Sequence, residues 1–175
     1  MFEDFELNKY MNKPPPSNSS FETMQEIKEL NKIPIDKKFV KDNDMMDKVF
    51  AKIVGNDELI PILINESRDL LLKIKHHHNR PRPKEIASDF NIKLDYKYLP
   101  SMNTPSYPSG HSAQAALVAN VLSDKYPSLR KELQTAAKLI SYSRNVAHEH
   151  YKSDSTFGIK IGEDMYNHLK EKKIT

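Results

Sequence analysis

The sequence predicts an all-α, single-domain helical bundle. Three observations carry that expectation. Apolar residues recur at helical spacing in several stretches, proline and glycine punctuate the chain between them, and the one alternating segment has no convincing strand to pair with. At 175 residues, 38% hydrophobic and 29% charged, the chain suits one domain with a sizeable core.

Taken in order, residues 1–19 end in NKPPPSNSS, a proline–serine stretch expected to form a flexible, surface-wrapped arm, and the helical domain is expected over 20–175. Ser20 is a natural N-cap for FETMQEIKELNKI, where Phe21, Met24, Ile27 and Leu30 share a face and Pro34 ends the helix. Residues 43–54, NDMMDKVFAKIV, make a second helix closed by Gly55-Asn56. A longer third helix runs from Asp57 to about His78, with Pro61 tolerated in its first turn. NRPRP stops it, because a residue preceding proline is pushed out of helical geometry. IKLDYKY, residues 92–98, alternates like a strand but reads as an extended connector. Helices are then expected over 109–126, 128–147 and 149–171, with Pro127 separating the first two.

Composition excludes several classes. A net charge of +3, from 27 basic and 24 acidic side chains spread along the chain, calls for no nucleic-acid partner. The longest apolar runs, LIPILI and AALVANVL, are too short to cross a bilayer, so no membrane insertion is expected. MFEDFELNKYMNK lacks the basic start and apolar centre of an export signal, and a cytoplasmic setting follows as the expectation. Cysteine is absent, which removes disulfides, thiolate metal sites and a cysteine nucleophile. Oligomeric state is left open, a homo-oligomer included.

Three clusters carry chemistry. The first is KIKHHHNRPRP, where Lys75 and Arg82 lie seven residues apart. A mobile ammonium and a planar guanidinium together suit a tetrahedral oxyanion, although a basic helix end stabilised by its own dipole would look the same. His76, His77 and His78 point in different directions on a helix and cannot chelate one ion together. The second cluster is TPSYPSGHSAQ. If Ser109, Gly110 and His111 open a helix, their free backbone N–H groups form an anion cradle, and His111 stands beside it able to move a proton near neutral pH. An ordinary cap with an incidental histidine is the alternative. The third is SRNVAHEHYKSD, with Arg144 six residues before His150 and His150 four before Asp154. On a helix, Asp154 would accept from one ring nitrogen of His150 and free the other as a nucleophile; a surface His–Asp pair is the bland equivalent. His148 has Lys152 at the corresponding distance and is set aside.

The order K-x6-RP, PSGH, SR-x5-H-x3-D resembles the signature of the type 2 phosphatidic acid phosphatase (PAP2) superfamily. That group takes in soluble class A nonspecific acid phosphatases, vanadium haloperoxidases and membrane lipid phosphatases. Lys75, Arg82, Pro83, Pro108, Ser109, Gly110, His111, Ser143, Arg144, His150 and Asp154 fill every specified position. Lys73 with Arg80-Pro81 also fits the first spacing, and the later pair is preferred. The resemblance implies a bundle of the PAP2/vanadium haloperoxidase type with the site between motif-bearing helices. It implies that Lys75, Arg82 and Arg144 hold phosphoryl oxygens with Ser109 and Gly110. It further implies that His150 attacks phosphorus, oriented by Asp154, and that His111 protonates the leaving alcohol. The chain's size and the absence of a spanning segment point to the soluble acid-phosphatase branch. The expected activity is hydrolysis of small phosphate monoesters through a phosphohistidine, with no metal and no cofactor. The alternatives are a vanadate-dependent haloperoxidase-like enzyme and a non-catalytic phosphate-binding protein on the same scaffold.

Overall fold

The computed structural model describes residues 1–173, and no strand occurs among them. Short helices α1 (Asn8–Met11), α2 (Phe21–Asn31), α3 (Lys37–Asp44) and α4 (Met46–Val54) precede the long α5 (Leu59–His78). After the single turn α6 (Pro83–Ile86) and an irregular stretch come α7 (Gly110–Lys125), α8 (Arg130–Val146) and α9 (Lys152–Glu171). The fold is the all-helical bundle that the sequence predicts. Among the described residues no helix is long and apolar enough to cross a membrane.

α7 forms the centre. Its AQAALVANVL is apolar on nearly every side, and such a helix has to be surrounded. α5, α8 and α9 pack around it, burying Ala113, Leu117, Val118, Val121 and Leu122. α9 approaches backbone to backbone: a Cβ on Gly158 would lie 2.4 Å from the Ser109 carbonyl oxygen, and one on Gly162 would lie 2.1 Å from that of Ala113. These two glycines let the first turns of α7 and α9 meet. The Ser109 N–H then donates to the Asp154 carbonyl at 3.0 Å, joining the second cluster to the third.

Several elements differ from the sequence expectation. The stretch 37–54 is two helices, not one beginning at 43. Asp36 accepts from the Phe39 N–H at 3.0 Å and starts α3 early, and the chain breaks at Met45 (φ −90°, ψ 87°) before α4. α9 begins at Lys152, three residues later than expected, because His148 turns the chain through φ 57°. The His148 ring is buried, with Nδ1 2.7 Å from the Asp95 carbonyl and Nε2 2.7 Å from that of Ile33. Both ring nitrogens are thus within hydrogen-bond distance of a main-chain carbonyl. His148 thereby ties the 92–99 connector and the α2–α3 link to the third cluster. Residues 1–19, expected to be a flexible arm, bury Phe2, Phe5 and Tyr10 in the core. Phe5 stacks on Tyr10 with ring centroids 5.6 Å apart, and the Tyr10 hydroxyl donates to Asp164 at 2.7 Å. Three aromatics outweigh the proline–serine stretch that follows them.

Candidate active site

The three clusters converge at the first turns of α7 and α9. Lys75, in the last turn of α5, is buried and donates to the Pro105 carbonyl at 2.8 Å. Its stem packs on Gly110, where a Cβ would stand 3.7 Å from the lysine Cε. Burial, and then Arg82, pull its pKa down to about 7. Arg82 caps α6, and its guanidinium is fixed by the carbonyls of Thr104 (2.9 Å from Nε) and Ser101 (2.6 Å from Nη2). Arg144, from the last turn of α8, is fully buried; its Nε and Nη2 donate to the Ser143 hydroxyl oxygen at 3.1 and 3.0 Å. The stretch 101–105, which follows the extended connector, thus supplies the carbonyls that aim two of the three cations.

His150 stands among them with its tautomer set by its neighbours. Arg82 Nη1 lies 2.9 Å from Nε2, and a guanidinium can do nothing but donate. Nε2 is therefore the acceptor, and Nδ1 carries the proton toward Asp154 Oδ2 at 2.9 Å. Burial, then Arg82, Lys75 and Arg144, hold the imidazole well below its usual pKa, so the ring keeps a free lone pair. The His150–Asp154 contact is not made along a helix face, as the spacing suggested. His150 precedes α9, and Asp154 sits in its first turn, also accepting from the Tyr151 N–H at 3.1 Å. Asp154 is buried, which raises its carboxyl to about 6 against the opposing pull of Arg80. Ser109, fully buried, accepts from the Ser112 N–H at 3.2 Å and starts α7. Gly110 and His111 follow in the turn whose N–H groups lack intrahelical acceptors. His111 Nε2 donates to the Asp44 carbonyl at 3.0 Å; burial and Arg144 push its pKa down to about 4.

Every residue singled out in the sequence lies in this constellation, whereas the histidine triplet does not. His76 and His77 are exposed, and His78 turns to the Tyr10 carbonyl at 2.9 Å. Among the described residues no group of three or more histidine or carboxylate side chains is placed to hold a metal. Three further groups reach the site: Arg80, which the sequence offered and the later arginine displaced, and Glu149 and Asp44, which it did not single out. Arg80 lies behind the histidine, donating to Asp154 Oδ1 at 2.7 Å and to Glu26 at 3.2 Å, with its guanidinium 3.6 Å above the Tyr151 ring. The doubled RPRP was its signal: both arginines are used, in different layers. Glu149 is fully buried between Arg82 (3.3 Å) and Arg144 (3.4 Å), and Ser101 donates to it. Asp44 reaches Arg144 Nη1 at 2.9 Å from a position 100 residues earlier, and no spacing announces it.

Three cations surround a buried histidine here, and residues 60–165 match the PAP2 superfamily. The chain belongs to the PAP2 superfamily. This is a phosphatase-type family, and the matched stretch spans the three clusters from Lys75 to Asp154. Among solved structures, a transmembrane PAP2-type phosphatidylglycerolphosphate phosphatase from Bacillus subtilis is similar at 22% identity and a TM-score of 0.48, covering 97% of this chain and 84% of its own. No curated protein matches.

Proposed function

We propose that this PAP2 protein is an acid phosphatase that hydrolyses small phosphate monoesters through a phosphohistidine, without a metal ion. The observation carrying this reading is the His150 tautomer: Nδ1–H committed to Asp154, and Nε2 presenting its lone pair amid Lys75, Arg82 and Arg144. Phosphoryl transfer requires in-line positioning and neutralisation of charge on the equatorial oxygens, and three fixed cations with a helix N-terminus supply both. Arg82 Nη1 moves from Nε2 onto an incoming oxygen. Nε2 then bonds to phosphorus as the ester P–O bond breaks, and protonated His111 gives its proton to the departing alkoxide. In the second step His111 takes a proton from water, the hydroxide oxygen bonds to phosphorus, and the P–N bond breaks to release phosphate. Asp154 stabilises the charge that His150 gains. His111 must be protonated to act as the acid, and its depressed pKa favours lower pH, whereas Asp154, raised to about 6, must be ionised to hold the Nδ1–H; turnover belongs where the two demands overlap.

Rapid quenching during turnover of a nitrophenyl phosphate should trap an acid-labile phosphoryl group on His150. Folded His150→Ala should show neither the adduct nor turnover. Turnover should survive exhaustive EDTA treatment, and orthovanadate should inhibit competitively as a mimic of the five-coordinate phosphorus. Persistent turnover in His150→Ala would rule out the covalent scheme; loss of activity in EDTA, restored by Mg²⁺ or Zn²⁺, would rule out the metal-free one.

A further inference from the structure

We propose that Asp44 is a specificity-determining residue that competes with the substrate's phosphoryl group for Arg144 and His111, favouring dianionic monoesters over monoanionic diesters; this rests on the phosphatase reading above. Asp44 ends α3 and engages two of the groups assigned to the reaction. Its carboxylate accepts from Arg144 Nη1 at 2.9 Å, and its backbone carbonyl accepts from His111 Nε2 at 3.0 Å. The carboxylate itself lies 3.7 Å from the same ring nitrogen. Arg144, Arg82 and His150 are no more than 2% exposed, so no phosphoryl group reaches His150 Nε2 until something gives way.

The two carboxylates on Arg144 differ in their freedom to yield. Glu149 is wholly buried and also held by Arg82 and Ser101, so it is part of the frame. The Asp44 side chain is 33% exposed and stands beside the break at Met45, itself half-exposed. A carboxylate on a helix end next to a break can swing into water at little cost. Among Lys75, Arg82 and Arg144, the two arginines share the Glu149 carboxylate, and Asp44 adds a second carboxylate to Arg144. A diester carries the same single charge as Asp44 and gains little by replacing it. A monoester dianion, the form present above the second phosphate pKa of about 6, brings a second charge to the same cations and displaces Asp44. His111 is released by the same movement, so arrival of the dianion frees the acid for the leaving oxygen.

The test is Asp44→Asn, checked for folding by its melting transition. Inorganic phosphate and orthovanadate would be titrated by calorimetry, and kcat and KM measured on p-nitrophenyl phosphate and its bis ester. Removing the competing charge should tighten phosphate about tenfold and narrow the preference for monoester over diester by a similar factor. If Asp44 merely positions Arg144, phosphate binds more weakly and kcat falls, which overturns the proposal; unchanged affinity overturns it equally. A wild type that hydrolyses monoesters in either case keeps the phosphatase reading intact. A wild type that neither binds phosphate nor hydrolyses any monoester sinks both. A crystal structure of the wild type with vanadate gives a second reading independent of the variant. Asp44 should leave Arg144 in it, and an Asp44 carboxylate still within hydrogen-bond distance of Arg144 beside bound vanadate overturns the proposal.

Discussion

At the scale of single residues, the layering behind His150 deserves a test of its own. Arg80 opposes the burial that raises Asp154, so Arg80→Met should lift the Asp154 pKa further. Asp154 must be ionised to hold the Nδ1–H, and the acid limb of kcat/KM should therefore move to higher pH. Arg80→Lys should move it less, because a cation remains. An unchanged limb in folded Arg80→Met would show that Arg80 serves packing alone. His111 gives the opposite limb. It acts protonated, so kcat/KM should fall as pH rises through its lowered pKa, while bound dianion raises that pKa and moves the fall in kcat to higher pH. His111→Ala should lose about 10²–10⁴-fold on an alkyl ester and less on a nitrophenyl ester; equal losses on both would make His111 structural. The residues that touch phosphate in this scheme were legible because their chemistry is encoded at short spacing, as in K-x6-RP. Asp44 and Glu149 were not. A carboxylate becomes part of a site through the fold that carries it to an arginine, and neither residue belongs to a spaced pattern.

At the scale of elements, the α7–α9 contact governs the site. Gly162→Ala would drive a Cβ to 2.1 Å from the Ala113 carbonyl oxygen, and the helices must part to accept it. Overpacking of this kind costs about 1–3 kcal/mol, measurable by urea denaturation. Gly158→Ala strikes closer, at Ser109, and should reduce kcat out of proportion to its loss of stability. Equal effects of the two variants on kcat would refute the coupling of this contact to the site. Long helices such as α5 and α7 were readable from apolar spacing and proline stops. The start of α9 was not. The helical period continues through residues 149–151, yet His148 at φ 57° breaks the chain there for the sake of two distant carbonyls. Tertiary partners overrode a local preference.

At the scale of the whole molecule, the buried titratable groups set a pH dependence of folding. His78, His111 and His150 all have pKa values depressed on folding, burial being the first cause in each. The unfolded chain takes up their protons near the ordinary imidazole pKa of about 6.5, while the folded chain resists. Their stabilising contribution is complete above that pH and is lost as pH falls below it. Asp154 works in the other direction: raised on folding, it favours the folded state as pH drops through about 6. Three groups outweigh one, so the melting temperature should fall between pH 7 and pH 5; a rise would show that Asp154 dominates. The amino-terminal segment is part of this whole. Deleting residues 1–12 removes Phe2, Phe5 and Tyr10 from the core and should cost several kcal/mol, since burying one such side chain contributes about 1.5–3 kcal/mol. A truncated protein with an unaltered melting point would contradict that packing.

The hydrogen bond from the Ser109 N–H to the Asp154 carbonyl has a consequence for isotope exchange. It is a main-chain link between residues distant in sequence, and both residues are fully buried. That amide cannot trade its proton for deuterium by fraying of either helix end alone. Its exchange requires α7 and α9 to separate, so its protection should approach that of global unfolding. One amide thus acts as a clock for the integrity of the junction that sets His111 beside His150.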